Sequence, residues 1–149
     1  MNFKVMAIGN RLMCDDGVGI LVGEYLKREL SPEVQVILAE TDISYSLDQV
    51  DDDDFLIILD SSHRGKKVGE ITVTPLKEID LSYDQLSQHD LNLLRLLKIY
   101  KTGIEGIVID IEVERVDFGL KLSKSLRDNF DEICVDIRAI ITKLVLERG

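Results

Sequence analysis

Two adjacent acids, Asp15 and Asp16, follow the stretch "AIGNRLMC" and lead into the step Gly17-Val18-Gly19. A third acid, Asp60, ends the apolar run "FLIILD", and His89 stands beside Asp90 at the start of a helix-patterned segment. Carboxylates and imidazoles take up and release protons, and they are ligands for divalent ions. In open α/β sheets, ligands bind beyond the carboxyl ends of the strands, where strand order reverses. One of Asp15 and Asp16, with Asp60 and His89, on such a rim would form an O/O/N set suited to a first-row divalent ion, with positions left for water or substrate. The helix start at Asp90 disfavours imidazolium and keeps His89 neutral, able to ligate. Each residue also has a plainer use. Asp15 or Asp16 can cap the following helix, Asp60 can cap a turn, and His89 can be a surface residue. His63, in "SSHRG" three residues past Asp60, is a rival imidazole for the same rim.

Such a rim needs strands that stop where the acids begin. Residues 3–8, "FKVMAI", read as a buried strand bounded by Gly9-Asn10. From Gly17, Val18, Leu21, Val22, Tyr25 and Leu26 recur at helical spacing, and Ser31-Pro32 ends that helix near Leu30. "VQVILAE" (34–40) is a second strand, "SYSLDQV" (44–50) a short helix, and 55–60 a strand covered on both faces. Asp51 to Asp54 before it read as a solvated loop. Gly65 and Gly69 mark turns before a strand at 70–74, and Ser87-x-x-Asp90 is a capping box for a helix reaching Tyr100, packed through Leu91, Leu94 and Leu97.

In "GIVIDIEVERVDF", Ile107, Ile109, Ile111 and Val113 alternate with mostly polar residues, which predicts one wet face. The last helix spans about 125–147, with Cys134 on its apolar stripe as core packing. Strands alternating with helices predict an α/β fold, a twisted, largely parallel sheet with helices on both faces in a three-layer sandwich.

At 149 residues the chain fits one domain, 1–149, with enough length for a core. A net charge of −10 argues against nucleic acid and anionic membrane as main partners, since both need a basic face. No basic, then apolar, leader is evident, and no apolar run approaches the roughly 20 residues of a membrane span. Two cysteines, Cys14 and Cys134, are too few for a disulfide framework and suit a cytoplasmic protein. With two histidines and no CxxC, a structural zinc site is not expected. No long exposed apolar stripe calls for self-association, so a monomer is expected.

"IGNRLMCDDGVG" with its following helix, "LIILDSSHRGKKVGEI", "LSQHDLNLL" and "FGLKLS" together resemble the hydrogenase maturation proteases, from residue 3 to about 140. Those peptidases remove a C-terminal tail from the large subunit of nickel-iron hydrogenases after nickel is inserted. The resemblance implies that Asp16, Asp60 and His89 contact the metal. It also implies that nickel arrives with the large-subunit precursor rather than being tightly held by the enzyme. Asp15 then sits close enough to support the metal-contacting residues from behind or to act as a proton acceptor, and Asp15, Asp16 and Asp60 are the catalytic candidates.

Two chemistries stay open: metal-assisted hydrolysis, and an aspartic-type dyad of Asp16 and Asp60 sharing a proton. Ser61 and Ser62 lie near His63, but no GxSxG elbow supports a serine mechanism, and "GNRLMCDDGVG" is not a dinucleotide-binding GxGxxG. Val68-Gly69 stands where the family commonly has Pro-Gly, which implies a less rigid turn. Cys14 replaces a small residue, as a hydrophobe or as a soft ligand near nickel. Other readings of the same fold are a non-catalytic metal- or peptide-binding chaperone and a protease with another protein substrate.

Overall fold

The computed structural model describes residues 2–79, 93–98, 101, 103–114 and 116–149. Its centre is a five-stranded sheet in the order β2-β1-β3-β5-β4. The strands are β1 (Phe3–Ile8), β2 (Val34–Glu40), β3 (Phe55–Ser62), β4 (Ile71–Pro75) and β5 (Glu105–Glu112). β1 pairs in parallel with β2 and β3, β3 pairs in parallel with β5, and β4 closes the edge antiparallel to β5. The helices are α1 (Val18–Glu29), α2 (Ile43–Asp48), the helical residues 93–98 (α3) and α4 (Lys124–Arg148). The expected three-layer, largely parallel α/β architecture is the one observed.

Side-chain alternation along each strand builds two cores. Phe3, Val5 and Ala7, with Phe55, Ile57 and Leu59 and with Ile107, Ile109 and Ile111, face α1 and α4. Met6, Ile8, Leu56, Ile58 and Val108 face the opposite layer, where Leu93, Leu94 and Leu97 of α3 pack. Leu30 closes α1 in an extended conformation just before Pro32, and Asp42 caps α2 by accepting from Tyr45 N at 2.8 Å. Cys134 is buried in the α4 stripe as expected.

Two expectations fail. β5 has no wet face: Ile107 to Glu112 are all buried. It is an interior strand between β3 and β4, and its polar residues Asp110 and Glu112 are covered by Arg64 from the loop after β3. The four-Asp run is also not wholly solvated. Asp54 is buried and pairs with Lys4 Nζ at 2.7 Å across the start of β1 and β3. The capping box Ser87-x-x-Asp90 and Leu91 lie outside the described residues.

The chain leaves β1 for β2 on one side and returns as β3 on the other, so strand order reverses between β1 and β3. The carboxyl ends of those two strands carry Gly9 and Asp60.

Candidate active site

The segment after β1 winds tightly before α1 begins. Asn10 Oδ1 accepts from Leu12 N at 2.9 Å, and Asn10 O accepts from Met13 N at 3.1 Å. Cys14–Gly17 form a 3-10 turn, so Asp15 and Asp16 precede the helix and neither side chain caps it; the N-cap is Gly17. Two glycines make this wrapping feasible. Gly9 has φ +146°, and a Cβ there would sit 2.2 Å from Asp16 O. A Cβ on Gly19 would meet Ile8 O at 2.8 Å and Leu59 O at 3.0 Å, so only glycine lets α1 start this close to the strand ends. The Gly-x-Gly step therefore seats the acid-bearing turn on the sheet rim.

Asp16 is half-buried. Its Oδ2 accepts from Asn10 N at 2.9 Å, and its Oδ1 accepts from Ser61 Oγ at 2.8 Å. Ser61 N in turn donates to Asp60 Oδ1 at 2.8 Å. One serine thus joins both acids, its hydroxyl to Asp16 and its amide to Asp60. Residues 45 positions apart meet at the reversal point. Nothing in the spacing singled out Ser61 for this bridge.

Asp15 is used differently. It is fully buried, with Oδ1 accepting from Ser123 N at 2.6 Å and Oδ2 from Ser123 Oγ at 2.8 Å and Glu114 N at 3.0 Å. A carboxylate engaged by that many donors is a clamp between the β1–α1 turn and the segment entering α4. Of the two roles expected for Asp15, support from behind the rim and proton acceptance, its three donors suit the first.

Asp110 is the register partner of Asp60 on β5, so the two buried carboxylates lie side by side on one face of the sheet. Arg64 Nη2 donates to Asp110 Oδ2 at 2.8 Å, and Arg64 N donates to both oxygens of Glu112 at 3.0 Å. Asp60, Arg64 and Asp110 line one small pocket with Ile8, Ile58 and Val108. Sequence reading missed Arg64, Asp110 and Glu112. The signal was present: Asp110 and Glu112 keep the face of Val108 on a strand beside β3, which carries Asp60 near its carboxyl end.

His89 lies outside the described residues, and His63 is exposed. Among the described residues no three His, Cys, Asp or Glu side chains converge as a metal set. Cys14 has φ +48°, and its Sγ lies where a Cβ on Gly119 would come within 2.8 Å. The Val68-Gly69 turn is held without proline. Gly69, at φ +89°, donates to Glu112 O at 2.8 Å, and Val68 packs on the core.

The family model for hydrogenase maturation proteases matches residues 20–139. The chain belongs to the hydrogenase maturation protease family. It is 28% identical, over 97% of its length and 90% of the relative's, to a Methanocaldococcus jannaschii protein provisionally called a hydrogenase maturation protease. The hydrogenase maturating endopeptidase HybD of Escherichia coli superposes with a TM-score of 0.81 at 20% identity, over 96% of this chain and 93% of that one. HybD of Thermococcus kodakarensis, a [NiFe] hydrogenase maturation protease, gives 0.75 at 24% identity, over 94% and 99%. Hydrogenase maturation proteases are endopeptidases of hydrogenase assembly, and peptide-bond hydrolysis is this chain's reaction class.

Proposed function

We propose that this maturation protease removes the C-terminal tail of a nickel-loaded hydrogenase large-subunit precursor, with Asp16 and Asp60 as its working acids. The observation that carries the reading is their junction through Ser61 at the strand-order reversal, 2.8 Å on each side. Two carboxylates held there offer oxygen ligands to a divalent ion that arrives with the precursor, and His89 is the proposed nitrogen ligand. Nickel is then part of the substrate, and its contact with the acids reports that insertion is complete.

Hydrolysis needs a polarised carbonyl and a deprotonated water. A metal at this rim would supply Lewis acidity to the carbonyl. Asp16 and Asp60 would hold the ion and orient the attacking water, and the less buried Asp16 would take its proton. Ser61 fixes the Asp16 rotamer through its hydroxyl. Asp15 positions this turn rather than reacting, because its oxygens face Ser123 and Glu114. The enzyme works in the cytoplasm as a monomer of one domain, 1–149. Among the described residues no helix is long and apolar enough to cross a membrane.

The test mixes the protein with nickel-loaded precursor, and in parallel with the nickel-free form, and weighs the products by mass spectrometry. Release of the tail from the loaded form alone is expected. Asp16→Asn and Asp60→Asn should each slow cleavage by about 100-fold or more while leaving the circular-dichroism spectrum intact. Full cleavage by either variant would remove that acid from the mechanism. A folded wild type that binds precursor without cutting it would make the protein a maturation chaperone.

A further inference from the structure

Large apolar side chains scattered singly over a surface need no explanation. Phe118 at 88% exposure and Leu120 at 75% are not scattered, since exposed Leu12 and Val116 belong to the same two segments. Those segments are stitched together. Gly119 N donates to Leu12 O, and Cys14 N donates to Gly119 O, each at 2.8 Å, around a parallel bridge between Met13 and Gly119. Beyond the ridge, Leu122 and Leu126 are buried and Ser123 is gripped by Asp15. The backbone that carries Phe118 and Leu120 is therefore fixed on both sides. Clustered apolar side chains held in water by a fixed backbone mark a surface awaiting a partner.

An open groove of about 460 Å³ runs along the ridge, with Cys14, Phe118 and Leu120 among its walls. Lys121, Lys124 and Arg127 also line it, on a chain whose net charge is −10. Lys124 is paired with Asp128, whereas exposed Lys121 and Arg127 make no ion pair among the described residues. The groove thus opposes the charge of the molecule as a whole. Its wall is continuous with the turn that carries Asp16, only two residues beyond Cys14.

We propose that this ridge and groove dock an extended apolar segment of the substrate protein that carries acidic residues, and so feed the adjoining site. The inference rests on the protease reading above and names the recognition surface for its substrate. Phe118 and Leu120 contribute apolar contact, while Lys121 and Arg127 select acidic side chains and speed encounter.

Two double variants test it, Phe118→Ser with Leu120→Ser, and Lys121→Glu with Arg127→Glu. Cleavage of nickel-loaded precursor, precursor binding by interferometry and Tm are measured for each. Both should raise KM and the binding Kd about tenfold or more, with kcat and Tm unchanged. Raising salt should weaken wild-type binding and leave the charge-reversed variant nearly unaffected. If wild type cuts the precursor and both variants match its KM and Kd, the docking proposal is overturned. Should the serine variant lose Tm, the charge-reversed pair decides alone. Wild type that binds through this face yet cuts nothing defeats the protease reading and keeps the docking surface. A wild-type dimer in sedimentation that the serine variant dissolves, with Kd for precursor unaltered, makes a second copy the occupant and overturns the proposal.

Discussion

Asp15 and Asp16 are neighbours in sequence with opposite surroundings. Asp16 is half-buried at the rim and touches Ser61, while Asp15 is sealed inside against Ser123 and Glu114. Replacing Asp15 by Ala would strand three donors in the interior, a loss of about 3 kcal/mol. In calorimetry that corresponds to a Tm lower by about 6–12 °C. Ser61→Ala frees one Asp16 oxygen, and cleavage should slow by about tenfold at unchanged Tm. The adjacent acids, the strand-end Asp60 and the Gly-x-Gly step were visible in the sequence. The resemblance pointed to Asp16 as the acid at the rim; residue types and spacing alone did not, because Asp15 is drawn inward by Ser123, 108 residues away. The thiols divide in the same way. Burial, then the nearby Asp131 charge, pushes the Cys134 thiol up to about 12, and half-exposed Cys14 lies at the surface groove. Iodoacetamide at about pH 8 should label Cys14 and spare Cys134 in the folded protein, as peptide mass spectrometry would show. Equal labelling of both would contradict the burial of α4.

Among the elements, β1 and β3 were legible as short apolar runs, and α1 and α4 from their periodicity. β5 misled because alternation of apolar and polar residues signals a wet face only when water reaches the polar side. Here Arg64, anchored by Glu112, fills that side instead. Lys4 and Asp54 form a second case, a charge pair inside the junction of β1 and β3. Asp54 Oδ2 faces Lys4 Nζ and also accepts from Asp51 N at 2.7 Å, while Oδ1 has no hydrogen-bond partner among the described residues, so Lys4 is the cation that balances this buried charge. Burial lowers the Lys4 pKa, and the hydrogen bond and charge of Asp54, with those of Asp51, more than reverse this, so the net shift is upward. A raised folded-state pKa stabilises fully below the unfolded value of 10.5 and is lost as pH climbs through the folded value. Chemical denaturation should therefore show stability falling above about pH 10.5 in wild type and a flatter profile in Lys4→Met. At pH 7 that variant should be weaker by about 3 kcal/mol, because Asp54 is left buried and uncompensated. A Lys4→Met protein as stable as wild type at neutral pH would show that water reaches Asp54.

At the scale of the molecule, a formal charge of −10 on 149 residues means self-repulsion. Moderate salt screens it, so Tm should rise by a few degrees between about 10 and 200 mM NaCl, measured by differential scanning fluorimetry. A falling Tm would mean that the surface ion pairs outweigh the repulsion. The fold class could be read from the order of strands and helices, since parallel pairing requires helical crossovers. The edge strand β4 running antiparallel could not, because its partner β5 lies far along the chain and strand direction leaves no mark in the hydrophobic pattern.

The clamp from Asp15 to Ser123 also has a consequence in time. The rim turn leaves the ribosome well before the serine that locks it, which emerges 108 residues later. Until α4 has been made and docked, the turn bearing Asp16 lacks its anchor. A nascent copy, or one truncated before α4, should therefore cut nothing, and the peptidase becomes active only once Ser123 and α4 have been made. Arrested translation products ending before and after α4, assayed on the same precursor, would place that onset along the chain.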